Sequence, residues 1–120
     1  WFLAHKNIPW IKAQEFAVPF GQGVTPKFEA GFDMICCTLN ETSTGVQVDS
    51  FPTVDANTIL AVDATSGGGQ VPCDISKVDM FFFSPQKVFA SEGGLFVAIM
   101  SPKAIERALK IEKDNSRYIP

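Results

Sequence analysis

Three apolar runs in this 120-residue chain end in side chains that can do chemistry. Lys87 lies in Ser84-Pro85-Gln86-Lys87-Val88-Phe89-Ala90-Ser91, just past Met80-Phe81-Phe82-Phe83 and before Gly93-Gly94. Asp63 closes Ile59-Leu60-Ala61-Val62 and leads into Ala64-Thr65-Ser66-Gly67, and Thr42 sits in Asn40-Glu41-Thr42-Ser43-Thr44-Gly45, behind a third run. A lysine amine can anchor a carbonyl cofactor and carry protons, and a carboxylate can hold a cationic nitrogen. Taken singly these residues signal little. A loop lysine is ordinarily a solvated charge, and Asp63 or Thr42 alone is ordinary turn chemistry. Their joint appearance at successive strand ends is what raises the functional reading.

The elements that must position these residues are short. Glu15 to Phe20, Asp33 to Leu39, Thr58 to Asp63, Val78 to Ser84 and Leu95 to Met100 are apolar runs bounded by Gly, Pro, Asp or Ser, and they predict five strands. Continuous apolar character, as in Met34-Ile35-Cys36-Cys37, suits strands buried on both faces, so helices are expected to cover them. Ser101 as N-cap, Pro102 at the first helical position and a stripe at Ala104, Ile105, Ala108, Leu109 and Ile111 predict a helix through Lys113. Trp1 to Lys6 reads as the tail of another helix, broken before Pro9. The short link from Ser84 to Leu95 makes the last strand antiparallel to its predecessor, whereas the longer links after Leu39 and Asp63 permit parallel crossovers. The expected fold class is α/β, a mixed, mostly parallel sheet with flanking helices. Such sheets bind ligands beyond the carboxyl ends of their strands, where Thr42, Asp63 and Lys87 lie.

The Asn-Glu-Thr-Ser-Thr-Gly turn, the Val-Asp-Ala-Thr-Ser strand end and the Pro-Gln-Lys-x-Phe-Ala-Ser-x-Gly-Gly loop, in this order and spacing, resemble the class V aminotransferases of the type I pyridoxal phosphate fold, and within them the phosphoserine aminotransferases. The resemblance covers most of the chain. It implies pyridoxal 5'-phosphate as cofactor, Lys87 as its anchor and proton carrier, and Asp63 as partner of the pyridine nitrogen. It further implies Thr42 at the ring's phenolic oxygen, Gln86 at the phosphate, Thr65 against the ring face and Ser66 as another phosphate contact. Amino-acid and keto-acid substrates and a homodimer follow from the same resemblance. Leu39 stands where the family's nearest members carry His, and Val88 where they carry Asn. Gln86 argues against the desulfurases, which favour His there; an alanine-glyoxylate aminotransferase or a non-catalytic α/β fragment are the alternatives.

Composition bounds the rest. A hydrophobic content of 46% with 11 Phe predicts a real core, and a net charge of −3 gives no basic footprint for nucleic acid. No run approaches the roughly 20 apolar residues of a membrane span, so the expected setting is cytoplasmic. Cys36, Cys37 and Cys73 have neither pairing nor metal spacing and read as reduced core residues. With His5 the single histidine, no metal site is expected. Gly67-Gly68-Gly69 matches no nucleotide fingerprint and reads as a flexible loop near the site. Trp1, Phe2 and Trp10 are expected in core or interface packing, and Arg107 and Arg117 in solvent. Members of the resembled family are roughly three times this size, so residues 1–120 are expected to form part of one large cofactor-binding domain, with no second domain.

Overall fold

The computed structural model describes residue 8 and residues 10–48 and 50–114. In chain order its elements are β1 (Met34–Thr38), β2 (Asn40–Glu41), β3 (Val46–Gln47), β4 (Ile59–Asp63), β5 (Met80–Phe83), β6 (Val97–Met100) and α1 (Pro102–Lys113), with one 3-10 turn at Ile75–Lys77. Four strands form a sheet in the order β1-β4-β5-β6, while β2 and β3 form a small antiparallel hairpin beside it. β1 and β5 flank β4 in parallel, and β6 returns antiparallel to β5. The mixed, mostly parallel α/β sheet expected from the sequence is thus present.

Burial explains why β4 is central. Ile59, Leu60, Ala61 and Val62 are all buried, so neither face of this strand meets water. Alternation puts Ile35, Cys37, Leu60, Val62 and Phe81 on one face of the sheet, where they form the core with Leu39, Ala64 and Val78. Irregular segments cover that face: Phe28, Phe51, Val54, Val71 and Cys73 pack against it. Among the described residues α1 is the one α-helix flanking the sheet. Ser101 caps it as expected, its Oγ accepting the Ala104 N–H at 3.1 Å, with Pro102 in the first turn.

Glu15 to Phe20 is a correction: these residues form no strand. Phe16, Val18 and Phe20 do alternate, but a strand exists only where a neighbour accepts its hydrogen bonds, and Pro19 removes one donor. Phe20 is 84% exposed, and Phe28 and Phe51 pack on the core instead. Trp10 is 60% exposed, which excludes the core half of the core-or-interface expectation within this chain. The helix tail expected over residues 1–6, with Trp1, Phe2 and His5, lies outside the described residues, as does Arg117.

Asp79, which the sequence did not single out, ties β4, β5 and α1 together. Its carboxylate accepts the Leu60 N–H at 3.0 Å and the Ser101 hydroxyl at 2.8 Å, and pairs with Lys103 Nζ at 2.7 Å. Its carbonyl accepts the Ser101 N–H. Burial opposes ionisation here, yet the bonds from Lys103, Leu60 and Ser101 hold the carboxyl below its ordinary value of 3.8. A carboxylate of lowered pKa stabilises the fold above the unfolded-state value, and the contribution is lost as pH falls from 3.8 through the lowered one. Asp79→Asn is expected to destabilise by about 2–4 kcal/mol at pH 7, because Lys103 keeps a poorly compensated charge. Denaturation across pH 2–7 checks this: the loss should shrink toward the acid end, where the wild-type carboxyl is itself neutral.

Candidate functional site

The three parallel strands end together. Thr38 lies opposite Asp63, and Asp63 opposite Phe82. The ladder runs to its last rung, since Leu39 N–H donates to the Asp63 carbonyl at 2.9 Å and Ala64 N–H to the Phe82 carbonyl at 2.8 Å. The segments carrying Thr42, Asp63 to Ser66, and Gln86-Lys87 therefore leave the sheet along one edge, with the Asp63 turn between the other two. β6 enters at this same edge, Val97 opposite Phe83, and Ser84 Oγ donates to the Leu95 carbonyl at 2.8 Å to close the loop that bears Lys87.

Each segment is locally built for its turn. Thr42 opens the turn of the β2–β3 hairpin, where Gly45 takes a left-handed φ of 69° and donates to the Glu41 carbonyl at 2.9 Å. Glu41 accepts from the Ser43 hydroxyl at 2.7 Å and the Ser43 N–H at 3.1 Å, which hold its carboxyl below the ordinary range. Two-residue strands carry too little periodicity to be read from sequence, so this hairpin was missed. Asp63 is half-buried and its Oδ1 accepts the Thr65 N–H at 2.9 Å, which turns the chain at the strand end. Thr65 and Ser66 are half-buried beside it, while Thr42, Gln86 and Lys87 are exposed.

Asn40 is a second residue that sequence reasoning passed over. Its Nδ2 donates to Ser66 Oγ at 2.9 Å and bridges the hairpin to the Asp63 turn. Leu39, at the position of the family's His, is buried with its Cδ2 under Gly67. The glycine run is not the flexible loop expected: Gly68 N–H donates to the Ala64 carbonyl at 2.8 Å and Val71 N–H to the Gly67 carbonyl at 2.7 Å. A Cβ on Gly68 would meet the Ala64 carbonyl oxygen at 2.7 Å, so only glycine fits there.

Arg107 corrects a further expectation. It is half-buried rather than solvated, bonded to the Asn57 carbonyl at 2.7 Å and paired with Asp33 at 3.6 Å. Both partners precede the strands, at the opposite end of the sheet from Asp63. Burial pushes the Cys36 thiol up to about 11, and burial together with Cys36 does the same to Cys37. Cys73 is raised by burial and by Asp74. Iodoacetamide at pH 7.5 should therefore label Cys36 and Cys37 about a hundredfold more slowly than an unperturbed thiol of 9.0, which peptide mapping would read.

An amine within reach of solvent, a half-buried carboxylate, three hydroxyls and an amide share this edge. That donor set suits a flat cofactor bearing an aldehyde, a basic ring nitrogen and a phosphate. One apolar groove of about 440 Å³, lined by Val71, Ile75, Phe81, Phe83, Phe89 and Ile99, contains none of the candidate site residues. Among the described residues no group of three or more His, Cys, Asp or Glu could hold a metal ion, and no helix is long and apolar enough to cross a membrane.

Comparison with known proteins follows the same lines. The class V aminotransferase family model matches residues 5–114. The chain is 45% identical over 101 residues to a phosphoserine aminotransferase of Rhodococcus opacus, covering 83% of this chain and 27% of the relative. It is 44% identical over 119 residues to the phosphoserine aminotransferase of Corynebacterium glutamicum, covering 98% and 31%. The crystal structure of a phosphoserine aminotransferase from Cytophaga hutchinsonii superposes with a TM-score of 0.79 at 28% identity, over 97% of this chain and 34% of that one. The chain thus spans about a quarter to a third of the length of the relatives it matches. A family match over nearly the whole chain, joined to a sheet whose strand ends gather the family's motifs, places this chain in the class V aminotransferase family.

Proposed function

We propose that this chain forms the central part of the cofactor-binding domain of a pyridoxal-phosphate-dependent aminotransferase acting on phosphoserine and 2-oxoglutarate in serine biosynthesis. The observation that carries this reading is the alignment of the Thr42, Asp63 and Lys87 segments along one sheet edge, in a chain 44% identical over 119 residues to a phosphoserine aminotransferase. Pyridoxal phosphate, when bound, supplies an electron sink for the carbanion formed at the substrate Cα.

The chain's own residues divide the work. Lys87 Nζ would hold the cofactor's aldehyde carbon and, once freed by the substrate amine, would carry a proton between the substrate Cα and that same carbon. Asp63 keeps the ring nitrogen protonated by placing a negative charge beside it, and the Thr65 N–H fixes that carboxylate's orientation. Thr42 would donate to the phenolic oxygen, Gln86 and Ser66 would hold the phosphate, and Thr65 would lie against the ring. The substrate-binding arginines come from outside the described residues, since Arg107 is engaged at the far end of the sheet. The full-length protein would work as a cytoplasmic homodimer, as the family resemblance implies.

The test is a turnover assay of the full-length protein loaded with pyridoxal phosphate. Phosphoserine with 2-oxoglutarate should be converted at least about tenfold more efficiently than alanine with glyoxylate. The reverse preference would overturn the substrate assignment, and no transamination of either pair would overturn the enzyme.

A further inference from the structure

We propose that Phe89 is a positioning residue for Lys87, its ring wedged between Phe83 and Gly69 so that the lysine loop is fixed against the turn that follows Asp63. The inference deepens the reading above and rests on Lys87 being the anchor.

Two contacts carry it. The Phe89 ring stacks on Phe83 with centroids 5.2 Å apart and planes inclined by 20°. The tip of the ring lies over Gly69, where a Cβ would meet Phe89 Cζ at 2.7 Å and Cε2 at 3.2 Å. Gly69 also takes a left-handed φ of 85°, so its backbone is shaped for glycine twice over. The ring therefore joins the end of β5 to the glycine turn of β4, and it does so two residues beyond Lys87.

The loop's own hydrogen bonds leave the ring little freedom. Ala90 N–H donates to the Lys87 carbonyl at 3.1 Å, and Ser91 N–H donates to the Pro85 carbonyl at 3.2 Å. Ala90 takes a φ of 49°, the one left-handed residue with a Cβ among the described residues. Such a conformation persists where surrounding contacts over-determine it. Phe89 is 53% exposed, so its ring contacts Phe83 and Gly69 from the rim of the core and not from within it. Its position makes better sense as a brace that sets how far Lys87 stands from the Asp63 turn. The glycine run then has a role: it is the floor on which the brace rests.

The test uses the full-length protein with Phe89→Ala and the milder Phe89→Leu. In the cofactor-free protein, hydrogen exchange at the Ala90 and Ser91 amides should quicken about tenfold in Phe89→Ala and less in Phe89→Leu, while β4 amides stay protected. In the loaded protein, the pH midpoint of the visible band of lysine-bound cofactor should shift in Phe89→Ala and return toward wild type in Phe89→Leu. Gly69→Ala, whose methyl would meet the tip of the ring at 2.7 Å, should reproduce the exchange change even if Phe89→Ala fails to fold. Unchanged exchange at Ala90 and Ser91, or acceleration spread equally over β4, would overturn the brace. Cofactor that never attaches to Lys87 in wild type would overturn the anchor reading, whereas exchange in the cofactor-free protein still decides whether Phe89 braces the loop.

Discussion

Lys87→Ala is expected to lower transamination by the full-length protein by roughly 10³-fold or more, since in the proposed function this one amine is both covalent anchor and proton carrier. The visible band that wild type shows with pyridoxal phosphate should vanish with it. Fold stability should barely change, because Lys87 is exposed on a loop whose closure rests on backbone bonds and on Ser84. That combination separates a chemical role from a structural one. Turnover and band within a few-fold of wild type would show that the amine is an ordinary surface charge.

Asp63→Asn is the second large effect. The amide oxygen can still accept the Thr65 N–H, so the turn survives while the negative charge proposed to face the ring nitrogen is gone. Cofactor should remain attached to Lys87, and turnover should fall by roughly 10²–10³-fold, the scale set by losing a pre-oriented charge at a reacting centre. Asp63→Ala would be a less clean choice, since it also frees the turn that carries Thr65 and Ser66. Normal turnover in Asp63→Asn, with the cofactor attached, would remove the carboxylate from the chemistry.

How far the sequence carried these readings depended on the kind of interaction. β4 was legible because Ile59 to Val62 is apolar throughout, and a strand buried on both faces needs no more. α1 was legible because Ser101 and Pro102 announce its start in consecutive residues. The antiparallel return of β6 followed from link length alone, as the eleven-residue Ser84–Leu95 hydrogen bond illustrates. Glu15 to Phe20 misled for the opposite reason: Phe16, Val18 and Phe20 alternate as a strand would, but alternation describes a residue pattern and says nothing about a pairing partner.

The least legible features are contacts between residues distant in sequence. Asp79 falls inside the run expected as a strand and carried no signal of its own, and its burial against Leu60, Ser101 and Lys103 exists only once β4, β5 and α1 are assembled. Asn40 reaches Ser66 across 26 residues, and Phe89 reaches Gly69 across the loop edge. In each case residue type alone permitted a bland role, and topology supplied the partner. The candidate residues could be nominated because strand ends are marked by a local change from apolar to polar, and parallel pairing brings those ends to one edge.

The most direct measurement is chemical. The full-length protein is incubated with pyridoxal phosphate, reduced with borohydride to make the attachment permanent, digested and mapped by mass spectrometry. The phosphopyridoxyl group should be found on the peptide containing Lys87, and on Lys77 and Lys103 only at background level. Label on another lysine, or none on any, would contradict Lys87 as the anchor on which the aminotransferase reading turns.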